Sequence, residues 1–281
     1  MFPIRSFILD GTARLKLGPH ADRARADAEL LLLYVLGKDR AWLLAHLNEE
    51  LTEEKATCYS ELLERRYKGE PLQYIIGETE FYGLPFRVTP DVLIPRPETE
   101  HLVEKVIELG PCFEQPHIVD VGTGSGAIAV ALAHKLSYAQ ITAIDLSASA
   151  LPVAEENAKR NGVAIRFLLG DLLTPVAEER FEIVVSNPPY VPATDRATLA
   201  VEVRDYEPAM ALFAGDDGLE VYRRLIPAAY DALTPGGFVI LEIGYDQSPA
   251  IDDLLAHSGF AQIEFVPDLQ GIPRVACAQR T

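Results

Sequence analysis

From His117 onward, short apolar runs alternate with helix-like stretches, and this alternation constrains the fold more than any other feature of the chain. The runs are Ile118–Val121, Ile141–Asp145, Ile165–Leu169, Phe181–Ser186 and Phe238–Ile243. They are strand-sized and apolar on both faces, as strands of a parallel sheet covered on both sides are. Ala127–Leu136 and Ala148–Asn161 lie between the first runs and read as helices. Parallel neighbours need such crossovers, so the pattern predicts an α/β sheet. Two closely spaced runs near the end, around Gln262–Val266 and Arg274–Ala278, read as an antiparallel pair at the sheet edge.

Upstream the periodicity is different. Residues 1–71 read as a small helical bundle. Asp27–Leu36 is a helix ended by Gly37, Arg40–Leu47 is short and amphipathic, and Thr52-Glu53-Glu54 opens another helix with acids in its first turn. Residues 72–90 carry β-formers around glycines and predict a hairpin linker. The main sheet domain is expected over 91–281. Pro97-Glu98-Thr99-Glu100 reads as the start of its first helix.

At 48% hydrophobic over 281 residues, the chain can build one large core and one small one. Its net charge is −17. Residues 1–75 hold 11 basic and 12 acidic side chains, so nearly all the excess lies in the sheet domain. That acidity argues against a phosphate-backbone partner, which basic residues must neutralise, and suits a cationic cofactor or a basic protein partner, with ordinary solubility accounting for most of it. Cys58, Cys112 and Cys277 are far apart and are expected as buried thiols in a reducing compartment, with no metal site. No signal-peptide pattern or membrane-length apolar run is seen, so a cytoplasmic protein with no membrane partner is expected.

Two strand ends carry chemistry. Asp120-Val121-Gly122-Thr123-Gly124-Ser125-Gly126 joins a strand to a helix. Its glycines permit a tight turn and close ligand approach, and the helix N-terminus favours a carboxylate. Asp145 ends the next strand, where a carboxylate takes ribose hydroxyls. Asp171 follows the third, placed for an adenine amino group, with the Leu172 N–H for a ring nitrogen. Asp120 would favour an ammonium or sulfonium. Singly, each acid reads as a cap or a solvated loop. Together they point to S-adenosylmethionine. NAD is second, weakened by G-x-G-x-G spacing in place of G-x-G-x-x-G.

Ser186-Asn187-Pro188-Pro189-Tyr190 ends the fourth strand. The prolines stop the strand and hold Asn187 extended at its C-terminal end. The Asn187 side-chain oxygen and the Pro188 carbonyl then form a stiff acceptor pair for a substrate –NH₂, with Tyr190 packed on its flat face. Asn187 also borders the cofactor. Alone, the stretch also reads as a turn.

With both motifs in place, the chain resembles the class I methyltransferases, and more narrowly the peptide chain release factor glutamine N5-methyltransferase family. Further carriers are Gly69-Glu70-Pro71-Leu72-Gln73-Tyr74-Ile75, Phe81-Tyr82-Gly83 and Leu93-Ile94-Pro95-Arg96-Pro97-Glu98-Thr99-Glu100. Tyr206-Glu207-Pro208, Asp217-Gly218-Leu219 with Tyr222-Arg223, and Asp268-Leu269 with Gly271 and Arg274 add to it. Leu172 departs from the tryptophan of some members. The resemblance implies a Rossmann-like seven-stranded sheet with an antiparallel edge and a helical N-terminal domain that holds the protein substrate. It implies methyl transfer from S-adenosylmethionine, leaving S-adenosylhomocysteine, to the Gly-Gly-Gln glutamine of class 1 release factors. Arg96 and Glu98 are expected to close the site over substrate or order the Asn-Pro-Pro-Tyr loop, with a helix-capping ion pair as the alternative. Glu207 and Arg274 are expected to be structural. A monomer is expected. The alternatives are methylation of adenine or cytosine in nucleic acid, methylation of a ribosomal-protein glutamine, and a non-catalytic cofactor-binding protein.

Overall fold

The computed structural model describes residues 2–281. The first helices are α1 (Ile4–Leu15), α2 (Ala24–Leu36), α3 (Arg40–Ala45), α4 (Glu53–Tyr67) and α5 (Leu72–Ile76). A hairpin follows, β1 (Glu78–Phe81) and β2 (Leu84–Arg87), then α6 (Thr99–Leu109). The sheet domain continues with β3 (His117–Val121), α7 (Ala127–Lys135), β4 (Gln140–Asp145), α8 (Ala150–Arg160), β5 (Arg166–Leu169) and β6 (Phe181–Ser186). Along the chain there follow α9 (Val201–Tyr206), α10 (Glu220–Ala232), β7 (Leu233–Glu242), α11 (Ser248–His257), β8 (Phe260–Pro267) and β9 (Pro273–Arg280).

Two compact units result: 1–77 with 199–206, and 78–198 with 207–281. This division departs from the sequence expectation in two ways. The stretch around Tyr74-Ile75-Ile76 is the short helix α5, stopped by Gly77 in the left-handed region, and belongs with the bundle. The hairpin after it belongs with the sheet unit, and α9, from deep within the chain, belongs with the bundle.

The helical unit is built from legible signals. The Asp39 carboxylate accepts from the Trp42 N–H at 2.7 Å to cap α3. Thr52 caps α4, with Glu53 and Glu54 in its first turn and Arg65 and Arg66 in its last, matching the helix dipole at both ends. Arg66 is buried and donates to Asp27 at 2.7 Å, Glu202 at 3.0 Å and the Glu70 carbonyl at 2.8 Å. Gly69 meets α9 so closely that a Cβ there would lie 2.7 Å from Val201 Cγ1.

In the other unit the sheet order is β5-β4-β3-β6-β7-β9-β8. Pairing is parallel from β5 to β7, and β9 is antiparallel to both neighbours. Ile118, Ile183 and Val185 pack into one core beneath the sheet, and Val119, Val121 and Val184 into the other. Both faces are covered, which is why these strands read as continuous apolar runs. Cutting Ile183 to alanine should cost ~2–5 kcal/mol. β3 and β6 are neighbours although the chain leaves β3 for β4 on its other side, and a crevice opens at the C-terminal ends there.

Cys277 is buried as expected, but Cys58 and Cys112 are exposed. Cys58 sits on a helix whose apolar stripe lies elsewhere, and Cys112 on a short helical turn outside the core. Among the described residues, no helix is long and apolar enough to cross a membrane.

Candidate active site

A cavity of about 340 Å³ occupies the crevice above β3, β4, β5 and β6. One side of it is the glycine loop. Gly122 and Gly124 have φ of +76° and +55°, which side chains disfavour, and a Cβ on either would meet no atom within 4 Å. They leave a shallow cradle in front of the α7 N-terminus. Asp145, from the end of β4, braces that cradle. Its Oδ2 accepts from the Gly124 N–H at 2.7 Å and its Oδ1 from the Ser147 N–H at 2.8 Å. Burial raises the Asp145 pKa, and these backbone donors oppose the rise.

Asp120 is not where the sequence reading put it. It is wholly buried under the loop, outside the cavity wall, and accepts from the Thr123 hydroxyl at 2.6 Å. The β pleat turns alternate side chains to opposite faces, so Val121 reaches the cavity and Asp120 turns away from it. Burial pushes the Asp120 carboxyl up to about 7, with the Thr123 hydroxyl working against that. Gly126 likewise stays off the cavity wall, as its Cβ position faces Ala154 on α8. Thr123 and Ser125 do line the cavity.

Asp171 and Leu172 are both in the wall. Leu172 adopts φ of +49°, a conformation non-glycine residues hold only when the surroundings impose it. The Asp171 carboxylate is ion-paired with Arg224 of α10, also in the wall. It is therefore not the free acceptor that its position after a strand suggests.

The opposite wall carries Asn187, Pro188 and Pro189 at the end of β6, with Arg96, Thr99 and the stretch Pro208–Ala214. The Asn187 Nδ2 donates to Thr99 Oγ1 at 3.2 Å. Its Oδ1 takes no hydrogen bond from the described residues. Tyr190 departs from expectation. Its ring is outside the cavity wall and its hydroxyl donates to Glu242 Oε1 at 3.3 Å. Burial, with the Glu242 charge adding, raises its pKa. Tyr190 thus anchors the loop from behind. Gly218 completes the brace: a Cβ there would stand 2.3 Å from the Tyr190 carbonyl, which accepts from Gln247 Nε2 at 3.1 Å.

Arg96 lines the cavity and donates to the buried Glu207 at 2.6 Å. Glu98 does not line it, and stands at the N-cap of α6. Arg274 pairs with Asp268 at 3.0 Å, and Asp268 also accepts from the Gln270 and Ile272 N–H groups in the β8–β9 turn.

Thr99, Glu242 and Arg224 were not singled out from the sequence. Glu242 had a signal: a lone carboxylate in the apolar run Val239-Ile240-Leu241-Glu242-Ile243, where an uncompensated charge is costly. It is 2% exposed, and burial pushes its pKa up to about 7. Arg224 gave none, since its partner lies on a distant strand end.

Residues 10–77 match the PrmC N-terminal domain and 98–203 the methyltransferase small domain. The release factor glutamine methyltransferase of Moorella thermoacetica is 44% identical over 99% of this chain and 98% of its own length. That of Koribacter versatilis is 43% identical over 91% of each. A methyltransferase from Pyrococcus furiosus, 20% identical, superposes with a TM-score of 0.52 over 71% of this chain and 90% of its own, a likeness of fold. A 16S rRNA methyltransferase of T. thermophilus, solved with AdoMet and guanosine, gives 0.54 at 20% identity over 73% and 50%. By sequence, over nearly its whole length, the chain belongs to the release factor glutamine methyltransferase family.

Proposed function

We propose that this chain methylates the side-chain amide nitrogen of a glutamine in class 1 peptide chain release factors, the glutamine of their Gly-Gly-Gln motif. S-adenosylmethionine is the donor, and when bound it supplies an electrophilic methyl on a sulfonium. The relatives' names support the substrate. One observation carries the chemistry: Asn187, in the cavity wall, commits its amide N–H to Thr99, and its Oδ1 takes no hydrogen bond from the described residues.

The residues present fit the donor. A cavity of about 340 Å³ is in the range of small-molecule sites. The open cradle at Gly122 and Gly124, with Thr123 and Ser125 beside it, suits an amino-acid carboxylate at a helix N-terminus. Asp145 retains lone pairs for ribose hydroxyls. The Leu172 N–H and the second Asp171 oxygen are the groups for adenine. Asp120 contributes from beneath the loop through Thr123.

The chain's own part in methyl transfer is alignment. A carboxamide nitrogen is a poor nucleophile because its lone pair is delocalised. The Asn187 Oδ1 accepts one N–H of the substrate amide and the Pro188 carbonyl the other, which orients the nitrogen. Pro189 stiffens the loop, and Arg96 holds the neighbouring wall through Glu207. Each such hydrogen bond is worth ~1 kcal/mol, whereas orientation supplies ~7–11 kcal/mol. Positioning therefore dominates, and no protein base is needed if the proton leaves to solvent.

The helical unit is the docking element for the protein substrate. Its charge is nearly balanced, and Leu9, Leu17 and Leu44 stand exposed on it. The protein acts in the cytoplasm as a monomer. The test is incubation with labelled S-adenosylmethionine and a purified release factor, followed by mass mapping. Label on the Gly-Gly-Gln glutamine supports the proposal; label only on nucleic acid or on a ribosomal protein overturns it.

A further inference from the structure

Pro188 and Pro189 have no backbone N–H, so they give the loop after β6 no donor with which to tie itself down. Its carbonyls are the handles that remain. Gln247 takes hold of one of them. Its Nε2 donates to the Tyr190 carbonyl at 3.1 Å and to the Gly218 carbonyl at 3.3 Å. At the other end of the same amide, Gln247 Oε1 accepts from the Gly244 N–H at 2.9 Å. A backbone N–H only donates and a carbonyl only accepts, so these three partners fix the amide in one orientation and use both of its ends.

The side chain also fills its slot closely. A Cβ on Gly218 would stand 2.8 Å from Gln247 Nε2, and one on Gly244 would stand 2.8 Å from Gln247 Oε1 and 3.0 Å from Tyr190 Cδ2. Two glycines thus make the room that the glutamine occupies.

The residues it joins belong to the substrate side of the cavity. Asn187, Pro188 and Pro189 make one part of that wall, and the stretch Pro208–Ala214 makes another. Just past the prolines the two segments are laced together. The Val191 N–H donates to the Leu212 carbonyl at 2.9 Å, and the Ala214 N–H to the Val191 carbonyl at 3.0 Å. Gln247 holds the first segment at Tyr190 and the continuation of the second at Gly218. It does not itself line the cavity. Its footing is firm. The Gln247 N–H closes a turn on the Gly244 carbonyl at 3.3 Å, and Gln247 stands at the N-cap of α11, whose Ile251 and Leu255 are fully buried.

We infer that Gln247 is a positioning residue for methyl transfer: its amide pins both segments of the substrate wall to the end of β7 and the start of α11, and so sets where Asn187 stands. This rests on the acceptor role proposed for Asn187 above. Gln247 touches neither donor nor substrate, and it acts through the backbone of the Asn-Pro-Pro-Tyr loop.

The experiment compares wild type with Gln247→Met, Gln247→Glu, Asn187→Ala and the Gln247→Met/Asn187→Ala double variant. Each is scored by kcat and KM on a release factor, by calorimetric Kd for S-adenosylmethionine, and by thermal melting. Methionine keeps the length of the side chain and loses the amide. Glutamate keeps the shape and the acceptor for the Gly244 N–H, but sets its second oxygen against two carbonyls. Gln247→Met should lose ~10-fold in kcat, as for one orienting hydrogen bond, and Gln247→Glu at least as much. KM and cofactor Kd should stay unchanged. In the Asn187→Ala background most of the methionine loss should vanish, because the group being positioned is gone. A glutamine that served only the fold would lower the melting temperature and leave kcat per folded molecule alone. Wild-type kcat in folded Gln247→Met, or fully additive losses in the double variant, would overturn the inference. Should either single Gln247 variant fail to fold, the kcat of the other decides it. If Gln247→Met keeps wild-type kcat while Asn187→Ala is impaired, only the Gln247 inference fails; full turnover in Asn187→Ala removes the acceptor reading as well.

Discussion

The two units both bury charge, and they treat it in opposite ways. In the helical unit, Arg66 and Asp27 are each 1% exposed and bonded to each other, with Glu202 and a carbonyl taking further guanidinium donors. In the sheet unit, Asp120 and Glu242 are as deeply buried, and each carboxylate is bonded to a hydroxyl. The first arrangement closes on itself and holds α2, α4 and α9 together. The second leaves carboxylates dependent on hydroxyl donors, which burial pushes toward the neutral form. Paired buried charge serves the fold, while these carboxylates serve the groups around a ligand cavity, at the cost of stability.

The sharpest way to break this contrast is Arg66→Leu. It strands a buried carboxylate, so unfolding stability in urea should drop by ~3–5 kcal/mol. Turnover per folded molecule should be little changed. Asn187→Ala is its mirror image. It should lower kcat ~10²-fold, as for loss of one preorganised polar group, with the melting temperature and cofactor Kd held. An Arg66 variant that lost kcat without losing stability would sink the comparison.

Asp120→Asn sharpens it by sign. In the folded state burial pushes the Asp120 carboxyl up to about 7, above the ordinary aspartate value of 3.8, so the native state holds the proton more tightly. That contribution is complete below the unfolded pKa and disappears as pH rises through about 7. Between pH 5 and pH 8 the ligand-free wild type should therefore lose stability. Asp120→Asn, neutral throughout, should show a flatter slope and melt ~2–4 °C higher at pH 8, the shift expected for ~1 kcal/mol in a chain near this size. Thermal melts across that range check it; a variant less stable at pH 8 would show that the Asp120 charge is compensated after all.

Much of the sheet unit was legible. Strands covered on both faces leave unbroken apolar runs, so β3, β4 and β6 could be read to within a residue. The glycine loop was legible because positive φ leaves few choices of residue. The stretch around Tyr74-Ile75-Ile76 misled because β-branched propensity is weak against a helix bounded by Pro71 and Gly77. Of the cavity lining, Asn187, Asp145 and the loop were legible as strand-end groups because each follows a strand. Tyr190 was assigned to the wrong side of its loop. The pleat hid the turning away of Asp120, and the Arg224 partner of Asp171 comes from a helix far along the chain.

Order along the chain determined the α/β class, the glycine cradle and the proline-stiffened Asn187, because each is a local rule about which residues a backbone conformation tolerates. Tertiary structure alone decided that α9 joins the bundle, that Thr99 meets the Asn187 amide and that Glu242 meets the Tyr190 hydroxyl. It also decided which way that amide faces, because hydrogen-bond polarity depends on groups that only folding brings within reach.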